Sequence, residues 1–179
     1  SGVITVSAGS LKLNETGTLA SNITMGGGTL DADETSTVSG ALTQTGDITI
    51  DVATGKTLTY YSGTNVRIGA NTLTVIGGGT LSNQNAIVLD NVDSKLLLNT
   101  VTVDSVSTSA DSLGLDVDAD STVTSLSVGH TTPVSIAANK TLSGGITVTA
   151  GSLKLAETGT LASTVSMSGG TLDADETLT

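Results

Sequence analysis

The sequence predicts a right-handed parallel β-helix, an all-β solenoid with coils of about 19–23 residues, on three observations. The first is a long repeat: residues 1–37 return as 143–179 with eight differences, a constant shift of 142 positions. The second is a shorter period inside it. A shift of 19 carries Ile4 onto Ile23, Val6 onto Met25, Leu11 onto Leu30 and Leu19 onto Val38. A shift of 23 carries Ile50 onto Leu73, Leu58 onto Leu81, Val66 onto Leu89, Leu73 onto Leu96 and Val75 onto Leu98. Periods of this size mark solenoids. The third is alternation: Ile4/Val6, Leu11/Leu13, Ile48/Ile50/Val52, Leu73/Val75 and Ile146/Val148 alternate with polar residues, as half-buried strands do.

The elements follow in order. The runs are short, and Gly, Asn, Asp and Ser separate them, residues that tolerate tight turns. Gly26-Gly27-Gly28 and Gly77-Gly78-Gly79 read as turns; neither carries the Lys-Ser/Thr of a phosphate loop. Inward positions are expected at Ile4, Leu11, Ile23, Leu30, Ile50, Leu58, Val66, Leu73, Val75, Leu81, Leu89, Ile146 and Leu153. The stretch 104–132 is less regular, carries the only His (His130) and leads into the only Pro (Pro133). It reads as further coils with longer turns. Two units result: 1–142, a full module, and 143–179, the start of the next copy in one continuous solenoid. The module should rise in six or seven coils.

Composition agrees. Phe, Trp and Cys are absent and two Tyr are the only aromatics, whereas a wide globular core uses large rings. A narrow, uniform bore does without them. A single coil cannot offset its ordering entropy, so coils must stack and bury one another. A net charge of −11 with six Lys and Arg excludes a phosphate-binding surface, and no apolar stretch approaches a membrane helix. Neither nucleic acid nor membrane insertion is expected.

Candidate sites are few. Asp31, Asp33 and Glu34, repeated as Asp173, Asp175 and Glu176, place carboxylates at one turn. Asp116, Asp118 and Asp120 alternate with Val117 and Ala119, which would turn all three outward. Either group offers a weak Ca²⁺ site, since that cation wants six to eight oxygens; the competing reading, a solvated acidic surface, is the plainer one. No other cofactor is implied. Arg67 is the only arginine, and His130 sits in a Gly-His-Thr-Thr-Pro turn, so no catalytic constellation is read. Strings of Thr-x-Thr at 57, 72, 100, 122 and 147 suggest ice binding, but their spacing is uneven.

Strings such as ITVSAGSLKL, GGGTLDA, STVSGALTQTGDITI and GKTLTY resemble the Gly/Thr-rich strand repeats of autotransporter passenger regions and, more broadly, of large bacterial haemagglutinin-like adhesins. The resemblance is one of repeat style and extends over the whole chain. It implies a right-handed β-helix, export to the cell surface, and a non-catalytic role as adhesin stalk or spacer. Neighbouring repeats would be its partners, with end-to-end self-association, and host surfaces or glycans would be met through other regions. Two alternatives stand beside it: a polysaccharide-processing β-helix scaffold and an ice-binding solenoid.

Overall fold

The computed structural model describes residues 2–61, 63–156 and 159–174. Among them there is no helix, and parallel strands stack in about eight turns: a β-solenoid. The first coil carries β1 (Val3–Val6), β2 (Ser10–Leu13) and β3 (Gly17–Leu19). The next carry β4 (Asn22–Met25), β5 (Thr29–Ala32) and β6 (Ser36–Val38), then β7 (Leu42–Gln44), β8 (Ile48–Val52) and β9 (Thr57–Tyr60), then β10 (Val66–Arg67), β11 (Thr72–Ile76) and β12 (Thr80–Asn83). Above these lie β13 (Ile87–Leu89), β14 (Lys95–Asn99), β15 (Thr102–Thr108), β16 (Gly114–Val117), β17 (Ser121–Val128) and β18 (Thr132–Ile136). The stack closes with β19 (Thr141–Val148), β20 (Ser152–Ala156), β21 (Thr160–Met167) and β22 (Thr171–Ala174).

Three faces enclose the core in the lower coils. The first face holds β1, β4 and β7 and resumes with β10 and β13. The second runs unbroken through β2, β5, β8, β11, β14, β16, β18, β20 and β22. The third begins with β3, β6, β9 and β12. At β15 the third and first faces fuse: Thr102 and Val103 pair with β12, while Val106, Ser107 and Thr108 pair with β13. From there upward each coil has two strands instead of three, and β17, β19 and β21 are each eight residues long.

Asn83 sits at this change of cross-section. It is buried in the core, donates through Nδ2 to the carbonyls of Asn85 (2.7 Å) and Ser105 (2.7 Å), and accepts from the Ser105 amide (3.2 Å). The middle of β15 faces the corner between β12 and β13, where no strand lies beneath it. The side-chain amide supplies the donor and acceptor that a strand would have supplied, which a buried backbone requires.

The core is aliphatic and stacked like on like. Ile23, Leu30, Ile50, Leu58, Val66, Leu73, Val75, Leu81, Leu89, Ile146 and Leu153 are buried, as expected; Ile4 and Leu11 are half-buried because they belong to the first coil, with no strand beneath them. Two pairings differ from the expected shift. Ile50 pairs with Val75 in place of Leu73, and Val66 with Ile87 in place of Leu89. Each partner is displaced by one side-chain period of the strand, so the inward set stays inward. The stretch 104–132 proves the reverse of irregular. On the second face Leu96 lies under Leu115 and Leu115 under Val134, and on the third Val106 lies under Leu126. Long strands run there, because fusing two faces removes a corner from each coil, and the expected longer turn is found once, at residues 109–113 between β15 and β16.

The second face also slides. Leu155, the repeat equivalent of Leu13, stands on a column that descends through Val134, Leu115, Leu96 and Leu73 to Ile48. Leu13 itself lies under Ala32 and Val52. Seven coils therefore carry β2 to β20, and over them the strands of this face move along their own direction by the separation of Ile48 and Val52. That separation is even, so the inward set is again preserved.

Candidate functional site

The acidic residues are used between coils. On the second face Lys12, Asp31 and Asp51 are stacked by the ladder. Lys12 Nζ lies 2.7 Å from Asp31 Oδ2 and 3.5 Å from Asp33 Oδ2, and Lys56 pairs with Glu34. The hydrogen bond and charge of Asp31, then the charge of Asp33, raise the Lys12 pKa above its usual value. Asp51 is pushed up, first by its partial burial and then by Asp31 and Asp33, with Lys12 opposing. Like carboxylates one coil apart disfavour ionisation, and the lysine below relieves only part of it.

The second copy repeats one step of this ladder. Lys154 is the ladder partner of Asp173, as Lys12 is of Asp31; Asp175 and Glu176 lie outside the described residues. The other acidic group divides between strand and turn. Asp116 is outward on β16 and pairs with Lys95, whereas Asp118 and Asp120 belong to the following turn, where Asp120 Oδ1 accepts from the Thr141 amide at 2.8 Å. The alternation that would align all three ends with the strand. Among the described residues no three His, Asp or Glu side chains are grouped so as to hold a metal ion.

Other chemistry-bearing side chains are spread along the axis. Arg67 Nη1 meets Asp90 Oδ2 at 3.1 Å, and the other Asp90 oxygen accepts from the Gly69 amide at 2.8 Å. His130 occupies the turn between β17 and β18, 3.9 Å from Asp111. Tyr60 is buried and its hydroxyl accepts from the Leu42 amide at 2.8 Å, while Tyr61 is exposed. The glycine triplets are turns between β4 and β5 and between β11 and β12.

The Thr-x-Thr strings do not share a surface: those at 57 and 122 lie on the third face, that at 72 on the second, and that at 147 on the upper half of β19. Thr100 is the first residue of the short turn between β14 and β15. Its left-handed φ of 53° is unusual for a β-branched residue. Neighbouring turns at this corner are longer, so the chain is drawn inward here and leaves a shallow groove of about 240 Å³, lined in part by Gly79, Thr102, Thr122 and Ser143.

The sequence reading missed a different arrangement. On the third face the ladder stacks Thr57, Thr80, Thr102, Thr122 and Ser143 in one outward rank, and Thr18, Thr37, Thr59 and Ser82 in a second, one side-chain period along. The signal was a hydroxyl at each ladder step. It was hidden because Thr18 and Thr37 follow Gly17 and Ser36, outside any Thr-x-Thr string with an aliphatic centre.

The fold and these surfaces define a β-solenoid with hydroxyl-rich walls and stacked ion pairs. The chain matches no protein-family model, and comparison with curated proteins and with solved structures finds no similar one.

Proposed function

We propose that the chain is a structural module of a long tandem array, a rigid rod that serves as stalk or spacer in a large exported surface protein. One observation carries this reading. Two ladder steps of the first copy recur in the second: Ile4 pairs with Ile23 and Leu11 with Leu30, and likewise Ile146 with Val165 and Leu153 with Leu172. A repeat whose strands pair in register with the coil before it can be continued, because stability in such a fold is a sum over neighbouring coils. The acidic walls and the hydroxyl ranks keep rods soluble side by side.

Chains of one, two and three modules test it by small-angle scattering. Each added module should lengthen one continuous rod by about 34 Å, seven coils at roughly 4.8 Å each. Modules that move as separate beads would refute the rod. Display of an epitope-tagged array on cells, with and without its modules, tests the spacer role through accessibility of a distal tag.

The hydroxyl ranks favour one second reading, ice binding. Outward hydroxyls at one coil per step form each rank, about 4.8 Å apart, and where the ranks overlap, at Thr57 with Thr59 and Thr80 with Ser82, a second row lies about 6.7 Å along the strand, on which water can order. Thermal hysteresis that is lost in Thr80→Lys would support it; none in the parent chain would dismiss it.

A further inference from the structure

We infer that Asn139 is an attachment site for an N-linked sugar, presented at the tip of a turn. The inference rests on reading the chain as part of an exported protein. The sequence holds three Asn-x-Thr triplets, at Asn14, Asn22 and Asn139, the pattern that sugar transferases accept on exposed loops. The fold treats them differently. Asn22 Oδ1 accepts from the Ala41 amide at 3.0 Å and Thr24 lies within β4, so that triplet is spent on a corner and a ladder. Asn14 lies in the first coil, whose exposure depends on what adjoins it. Asn139 is exposed in the turn between β18 and β19, with coils both above and below it.

That turn has a twin. Ala137-Ala138-Asn139-Lys140 closes with the Lys140 amide donating to the Ala137 carbonyl at 2.9 Å; Ala53-Thr54-Gly55-Lys56, between β8 and β9, closes with the Lys56 amide donating to the Ala53 carbonyl at 2.9 Å. Both cross from the second face to the third, and each leads into a Thr, Thr141 and Thr57. The left-handed position is Gly55 in one, with φ 73°, and Asn139 in the other, with φ 62°. Asn tolerates this conformation, but Gly meets it at less cost, and a Cβ at Gly55 would meet nothing within 4 Å. The turn therefore does not call for a carboxamide, and that of Asn139 makes no hydrogen bond among the described residues. What Asn139 adds over glycine is an unpartnered amide nitrogen two residues before a hydroxyl. In the transfer, Nδ2 attacks the anomeric carbon of a sugar diphosphate donor. The C–N bond forms as the C–O bond to the diphosphate breaks, the diphosphate leaves with the electron pair, and one amide proton passes to the transferase.

Peptide mass spectrometry of the protein isolated from its own cells should find Asn139 carrying one or more sugar residues. Asn139→Gly reproduces the twin turn, so circular dichroism and melting should match the parent while the added mass disappears. Thr141→Val should lose the sugar and Thr141→Ser should keep it. Gly55→Asn, which completes the same triplet at the twin turn, should gain a second sugar. A bare Asn139 overturns the inference, as does a sugar that survives Thr141→Val or is found at Asn22. Protease shaving of intact cells reports export separately. Shaved protein with a bare Asn139 sinks the sugar site and leaves the export reading standing, whereas a sugar on Asn139 of protein that resists shaving upholds the site and counts against the surface role.

Discussion

The same five residues, Gly-Thr-Leu-Ala-Ser, turn a corner at 17–21 and run straight at 159–163. In the first copy β3 ends at Leu19 and β4 begins at Asn22; in the second, β21 passes from Thr160 to Met167 without a break. The neighbours differ. Below β21 lies β19, an equally long strand that pairs with it along its whole length. Above β3 and β4 lie β6 and β7, separated by Ser39-Gly40-Ala41, and Asn22 Oδ1 accepts from the Ala41 amide at 3.0 Å. Position 22 is Asn in the first copy and its counterpart in the second is Thr164, so the corner has a cap only where it forms. Strand or corner is thus imposed by the coil next door, with one side chain reinforcing it.

The comparison can be broken first at the core, which both cross-sections share. Leu58→Asp in the three-sided part and Leu126→Asp in the two-sided part should each cost about 3 kcal/mol or more, since a lone charge enters a dry column. A melt like the parent's for either would place that residue outside.

Asn83 is the point where one cross-section becomes the other. Asn83→Ala leaves the amide and carbonyl of Ser105 without partners and should cost about 1–3 kcal/mol. Hydrogen exchange should accelerate at Ser105 ahead of both flanking regions; uniform protection would mean that β15 holds its own middle.

Gly144 and Gly2 are the same residue of the repeat in the two contexts. Gly144 has φ 126° beside the register shift between Val123 and Ser125, and a Cβ there would lie 1.8 Å from the Val123 carbonyl oxygen; at Gly2 it would meet nothing within 4 Å. Gly144→Ala should cost about 1–3 kcal/mol, and Gly2→Ala should leave the melting temperature unmoved. Asn22→Thr should lose about 1 kcal/mol with its cap, whereas Thr164→Asn should do little.

The smallest effect sharpens the electrostatics of the wall. Asp51 holds its proton more tightly folded than unfolded, so its penalty is absent in acid and grows as pH rises from about 3.8 through its raised value. Asp51→Asn removes that penalty. It should be more stable than the parent at pH 7 by about 0.5 kcal/mol, the scale of a partly exposed charge interaction, and the gap should close toward pH 3. A gap independent of pH would assign the effect to something other than ionisation.

Much of the fold was legible in order. Alternation of Leu, Ile and Val with polar residues, recurring at about one coil length, names the strands, and the side-chain period of two protects the inward set against errors of register such as Ile50 with Leu73. The acidic and hydroxyl residues were legible as outward but not as partners. Lys12 with Asp31 and Thr57 with Thr80 meet only when coil lengths are known.

By itself, then, the sequence determined the parallel solenoid, its repeat of six or seven coils and its aliphatic bore, because these depend on pattern and period alone. The tertiary structure decided where a coil has three sides and where two, how far the second face slides, and which outward side chains form ranks. Those depend on the length of each turn and on the coil above and below. In a stack of parallel strands each coil takes its hydrogen-bonding partners, and with them its corners, from its neighbours.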